Sequence, residues 1–76
     1  MKYIVRKLNK IEHCIEENLI FDDWEDAYDQ FCQFVFEVQT ETNEKIIILK
    51  DDNVMQAESN EYLFTLVKEK KDESIS

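Results

Sequence analysis

The sequence predicts a small α+β domain: an antiparallel sheet of three to four strands with one long amphipathic helix packed on it. Three observations carry this. Trp24, Ala27, Tyr28, Phe31, Cys32, Val35 and Val38 recur at i, i+3, i+4, i+7, i+8, i+11 and i+14, one apolar stripe of a helix. Runs rich in β-branched and aromatic residues stand before and after that stripe, bounded by Asn, Asp or Ser. The chain has 76 residues, 43% of them hydrophobic. That is enough for one small core in a single domain over residues 1–68, and too apolar for a disordered acidic tail.

Taken in order, residues 2–8 (KYIVRKL) read as a strand. Residues 10–18 can be read two ways. Asn9 with Glu12 three residues on looks like a helix start, and Leu8, Ile11, Cys14, Ile15 and Leu19 recur at helical spacing. Ile15, Leu19 and Phe21 also fit one face of a strand. The preferred form is a second short helix over about 10–18. Asp22 or Asp23 then caps the long helix, with Glu25 or Asp26 at the third position, so that it runs over about 23–40. Acids in the first turn suit the helix dipole. Residues 45–50 (KIIILK) read as a buried central strand, Asp51-Asp52-Asn53 as a turn and residues 54–58 as a short strand. Ser59-Asn60 is a further turn before a strand over 61–68 (EYLFTLVK). Residues 69–76 (EKKDESIS) have almost nothing to bury and are expected to fray.

The chain contains neither Gly nor Pro. A phosphate-cradling loop, a dinucleotide fingerprint and an EF-hand turn all need Gly at fixed places, so none can exist here. Turns must use Asn and Asp, which tolerate left-handed backbone. Asn9, Asn18, Asn43, Asn53 and Asn60 each fall where a periodic pattern breaks, and they read as the punctuation of the fold. Cys14 and Cys32 lack CxxC spacing and read as reduced, buried small hydrophobes. His13 beside Cys14 has no orienting partner in any legible pattern. The expectation is no enzyme, no cofactor and no metal. The longest pure apolar run, Ile46 to Leu49, is far short of the roughly 20 residues that span a bilayer. A cytoplasmic protein is expected, in the host cytoplasm if a phage encodes it. Ala, Gly, Pro and Arg together number three while Ile, Lys, Asn and Glu are plentiful, which matches an AT-rich genome such as that of a low-GC bacterium or its phage.

The net charge is −9 and uneven. Residues 1–10 hold Lys2, Arg6, Lys7 and Lys10 and no acid, whereas residues 11–44 hold eleven acids and no Lys or Arg. Unbroken like charge costs self-repulsion. The plain explanation is a solvated face; the sharper one is a negative patch that meets a positive partner. Asp22, Asp26, Asp29, Gln33 and Glu37 follow one another at helical spacing, with Asp23 and Glu25 beside them. At 1.5 Å per residue the steps are about 4.5–6 Å, roughly the pitch of a phosphate backbone. Trp24, Phe34 and Phe36 are candidate aromatic anchors beside these acids. Each has a plainer role in the core, Trp24 because it lies on the stripe.

In size and charge the chain is similar to two broad groups. One is the small acidic inhibitors that phages and mobile elements direct against host nucleic-acid enzymes. The other is the acidic immunity proteins and antitoxins that neutralise basic nucleases. The similarity covers composition alone and carries over no residue. The leading expectation is a protein-binding inhibitor that occupies the basic nucleic-acid site of a nuclease, repair or defence enzyme. It would be a nucleic-acid mimic of the anti-CRISPR, anti-restriction or repair-inhibitor type, with no direct contact to nucleic acid or membrane. The alternatives are an immunity protein or antitoxin against a basic toxin, and a structural or regulatory homodimeric subunit joined by an edge strand.

Overall fold

The first two strands, β1 (Lys2–Asn9) and β2 (Cys14–Phe21), form an antiparallel hairpin. In this computed structural model, which describes residues 2–52 and 54–69, they are followed by α1 (Trp24–Thr42), β3 (Ile48–Lys50), β4 (Val54–Glu58) and β5 (Tyr62–Glu69). The five strands make one antiparallel sheet in the order β2-β1-β5-β4-β3, with α1 across one face. The α+β class is as expected, with one more strand than the sequence suggested.

The additional strand is β2, and it replaces the short helix expected over 10–18. The capping signal is real: Asn9 Oδ1 accepts the N–H groups of Ile11 and Glu12, both at 2.9 Å. It closes a single turn only. His13 takes a left-handed backbone (φ 57°), and the chain returns along β1. A bulge then slips the register, so that Lys7 faces Glu17 while Leu8 faces Ile15, leaving Glu16 as the extra residue. Leu19 and Phe21 pack toward the helix, but Ile15, beyond the bulge, is on the other face. That slip breaks the two-residue alternation and leaves spacings that mimic a helix.

Other turns also work without Gly. Asn43 ends α1 in the left-handed conformation (φ 59°), its N–H donating to Gln39 O at 2.8 Å. Ser59 Oγ accepts from the N–H of Tyr62 at 2.9 Å, beside Asn60. Asn18 is not punctuation: it lies within β2, opposite Arg6. Asn53 and residues 70–76 of the tail lie outside the described residues, and Glu69 belongs to β5.

The core is a single layer between α1 and the sheet. Ala27, Phe31, Phe34, Val35 and Val38 meet Val5, Met55, Ala57, Phe64 and Leu66, and Ile46 closes the end. Phe31, Phe64, Leu66 and Val5 are fully buried. At about 1.5–3 kcal/mol for each such side chain, they anchor a domain of this size. The segment KIIILK is not a central strand. Ile46 enters the core, but only Ile48–Lys50 pair, at the sheet edge, with Ile47 and Leu49 exposed. β1 and β5 hold the centre, so the apolar run serves as the crossover to the far edge.

Candidate acidic protein interface

Asp23 is the N-cap of α1, with extended backbone (φ −123°, ψ 136°), and its carboxylate accepts the Glu25 N–H at 3.4 Å. Asp22 is ion-paired with Lys2. The hydrogen bond and charge of Lys2 hold the Asp22 carboxyl below its ordinary value, and Asp22 raises Lys2 in return. These two acids therefore have local work within the fold.

Glu25, Asp26, Asp29 and Glu37 stand apart. All are exposed on α1, on the side away from the buried stripe of Ala27, Phe31, Phe34, Val35 and Val38. Among the described residues the ion pairs are Lys2–Asp22, Lys7–Glu16 and Lys10–Glu58, so none of the four has a basic partner within 4 Å. The basic start of the chain is consumed elsewhere: Arg6 Nε donates to Asn18 Oδ1 at 3.0 Å. The negative field persists at the far end of the helix. Burial, and then the charges of Glu16, Glu61, Glu41 and Glu12, push the Tyr62 phenol up.

The three candidate aromatics separate. Phe34 is buried and stacks on Phe64, with ring centroids 6.3 Å apart. Trp24 is half-buried, edge-on to Tyr3 at 5.5 Å and stacked on Tyr28 at 6.0 Å. It pins the start of α1 to β1 and leaves Tyr28 partly exposed beside the acids. Phe36 is 67% exposed. It sits seven residues after Asp29, about 10.5 Å along the same side of the helix, with Gln33 and Glu37 as neighbours on that side. Phe34 is thus removed from the exposed set, Trp24 supports it from below, and Phe36 alone of the three projects from the acidic face.

Cys14 is exposed rather than buried, and Cys32 is half-buried; both are free thiols. His13 belongs to the β1–β2 turn. Among the described residues no three His, Cys, Asp or Glu side chains converge as a metal site, and no helix is long and apolar enough to cross a membrane. Two shallow depressions of about 420 and 310 Å³ lie along β3 and β4, both lined by Leu49 and Gln56, away from the acidic side of α1. The carboxylates stand on the solvent side of a helix, which is convex by its own geometry.

The open face of the sheet is a surface that sequence reasoning missed. Opposite α1, register alone aligns Ile20, Ile4, Val67 and Val54 in one row across four strands. The alternation in β1 and β5 carries that signal, but in β2 the bulge conceals it. Comparison with protein-family models, with curated proteins and with solved structures finds no match.

Proposed function

We propose that this protein inhibits a basic, nucleic-acid-handling protein by seating the solvent side of α1 in its nucleic-acid site. The observation that supports this most is Phe36, an exposed aromatic on a helix face whose carboxylates have no basic partners among the described residues. Glu25, Asp26, Asp29 and Glu37 supply a field that steers encounter with a basic groove. Phe36 supplies apolar area toward the C-terminal end of that face, and aromatic anchors carry much of the binding energy of protein interfaces. A convex rod of carboxylates complements a cleft that accepts a phosphate backbone. The target class is a nuclease, repair or defence enzyme, and the biological setting is a phage or mobile element countering its host.

The test is capture of nucleic-acid-binding proteins from bacterial lysate on the immobilised chain at low salt. Bound proteins should be released by salt and by competing duplex DNA. The triple reversal Glu25→Lys, Asp26→Lys and Asp29→Lys should abolish capture while leaving the circular dichroism unchanged. Asp22 is left intact because its reversal would also break the pair with Lys2. Capture that survives both the triple reversal and excess DNA would sink this proposal.

A further inference from the structure

The side of the sheet facing away from α1 is uncovered among the described residues, and its pattern is ordered. Ile20, Ile4, Val67 and Val54 form one row across β2, β1, β5 and β4. Asn18, Arg6, Thr65 and Gln56 form the next row along the strands. Ile15, Leu8 and Leu63 follow, with Glu58 at the end. Ile20 and Ile15 are 60% and 56% exposed. An antiparallel sheet with one wet face normally alternates to polar residues on that face; here two rows of three are aliphatic almost throughout. A patch of this kind falls at the size of the largest apolar patch on a typical monomer, about 300–600 Å², which is often functional.

Charge narrows the occupant. The chain carries −9, yet this face carries Lys2 and Arg6 against Glu58 and Glu69, and its interior holds Arg6 alone, hydrogen-bonded to Asn18. Among the described residues the other acids lie on α1, in β2 at Glu16 and Glu17, and in the connecting turns. A strongly charged partner gains nothing from a neutral face, whereas an equally neutral one does. It is also a surface on which two copies can meet without setting helix acids against helix acids, since the helices end up on the outside.

The rows are self-complementary as well. A twofold axis along the strands, between β1 and β5, lays Ile4 of one copy over Val67 of the other, Ile20 over Val54 and Leu8 over Leu63, while Ile15 falls over Glu58 at the margin. It also sets Arg6 against Thr65 and Asn18 against Gln56. We propose that the open sheet face is a self-association surface whose occupant is the same face of a second copy. Sheets stacked in this way lie about 10 Å apart with strands roughly aligned. The patch is about 19 Å wide over four strands and about 16 Å long over Ile4–Leu8. That is about 300 Å² of flat area per copy, below the ~800 Å² per partner of a standard interface. The dimer is therefore weak and reversible. It does not rest on the acidic-face proposal, and each copy keeps its α1 free.

Sedimentation equilibrium of the full chain from about 10 μM to about 1 mM tests it, the range in which a sub-standard interface fills. The weight-average mass should climb from 9.2 kDa toward twice that value, and more steeply at high salt, where repulsion between the copies is screened. Ile20→Lys combined with Val54→Lys, both at exposed positions, should restore the monomer mass at the highest concentration with unchanged circular dichroism. Ile20 and Val54 lie three strand spacings, about 14 Å, apart in one copy, so a methyl–methyl NOE between them must come from two copies. A mass of 9.2 kDa throughout, or self-association undiminished in the double variant, overturns the proposal. So do NOEs from Ile75 of the chain's own tail onto Ile4 and Val67 in a sample that stays monomeric.

Discussion

Phe34 and Phe36 stand two residues apart on α1 and point to opposite sides of it. Phe34 is 8% exposed and stacks on Phe64, whereas Phe36 is 67% exposed on the side that carries Asp29. One helical turn holds 3.6 residues, so a step of two turns the side chain more than halfway round. The two rings can therefore be tested apart, Phe34 for stability and Phe36 for the recognition proposed above.

Truncation should separate them. Phe34→Ala leaves a cavity beneath the helix and should cost about 3–5 kcal/mol. That is a large part of the roughly 5–15 kcal/mol expected for a whole domain. Phe36→Ala should change stability by less than about 0.5 kcal/mol yet weaken target capture. Urea denaturation of both variants, with capture by the second, checks the pair. A Phe36→Ala protein that binds like the parent would remove Phe36 from the interface.

The acids beyond the first turn of α1 should work against the fold. Asp29 and Glu37 have no basic partner among the described residues and sit in a net negative field. Asp29→Asn with Glu37→Gln should raise stability by about 0.2–0.5 kcal/mol per site, and added salt should shrink that gain. Glu25→Gln should do the reverse, because Glu25 faces the positive end of the helix dipole. Thermal melts at two salt concentrations read all three effects. A double variant less stable than the parent would contradict the idea that these carboxylates are held at a cost to folding.

Asp22 should mark the acid limit of the hairpin–helix junction. Its folded-state pKa lies below the ordinary 3.8, first through the hydrogen bond from Lys2 and then through its charge. A depressed carboxyl contributes stability that is fully present above the unfolded value and is lost as pH falls through the folded one. Lys2 is raised above 10.5 by the same pair, so its contribution holds below that value and is lost as pH rises through the folded pKa. The pair is thus constant between those limits and weakens at both ends. In an NMR titration, Lys2→Met should move the Asp22 midpoint up toward 3.8; an unmoved midpoint would show that the pair does not persist in solution.

The left-handed residues offer a backbone test. Asn43 has φ 59° and closes α1 through its N–H to Gln39 O. Asn43→Gly should stay within about 0.5 kcal/mol of the parent, since Gly enters this region without steric cost. Asn43→Val should lose about 1–2 kcal/mol, because a β-branched residue clashes there. Equal stability of the two variants would mean that the cap relaxes out of the left-handed region.

Local chemistry is legible in the amino-acid order. The stripe from Trp24 to Val38, the Asp23 cap and the Asn43 stop depend on neighbours within one or two helical turns, and α1 follows from them with its acids on the outside. β4 and β5 likewise follow from short apolar runs between turn residues. Whatever depends on pairing is not legible in this way. Residues 10–18 carry both helical and strand spacing, and only the presence of β1 alongside, with the slip at Glu16, makes them β2. KIIILK has the composition of a central strand, but β1 and β5 take the centre and leave it an edge.

For the candidate site the division is similar. Composition and spacing alone establish that the chain is acidic, that residues 11–44 hold eleven acids and no Lys or Arg, and that no Gly-dependent ligand loop exists. Which acids remain unpaired is a tertiary matter, because Lys2 reaches Asp22 only when β1 lies beside the start of α1. So is the fate of the two rings: Phe34 goes in and Phe36 stays out, because Phe64 of β5 waits on one side of α1 and solvent on the other. The fold also assembles Ile20, Ile4, Val67 and Val54 into one row. These residues are scattered over the chain and share a surface only through strand register, which is a long-range property that no local window contains.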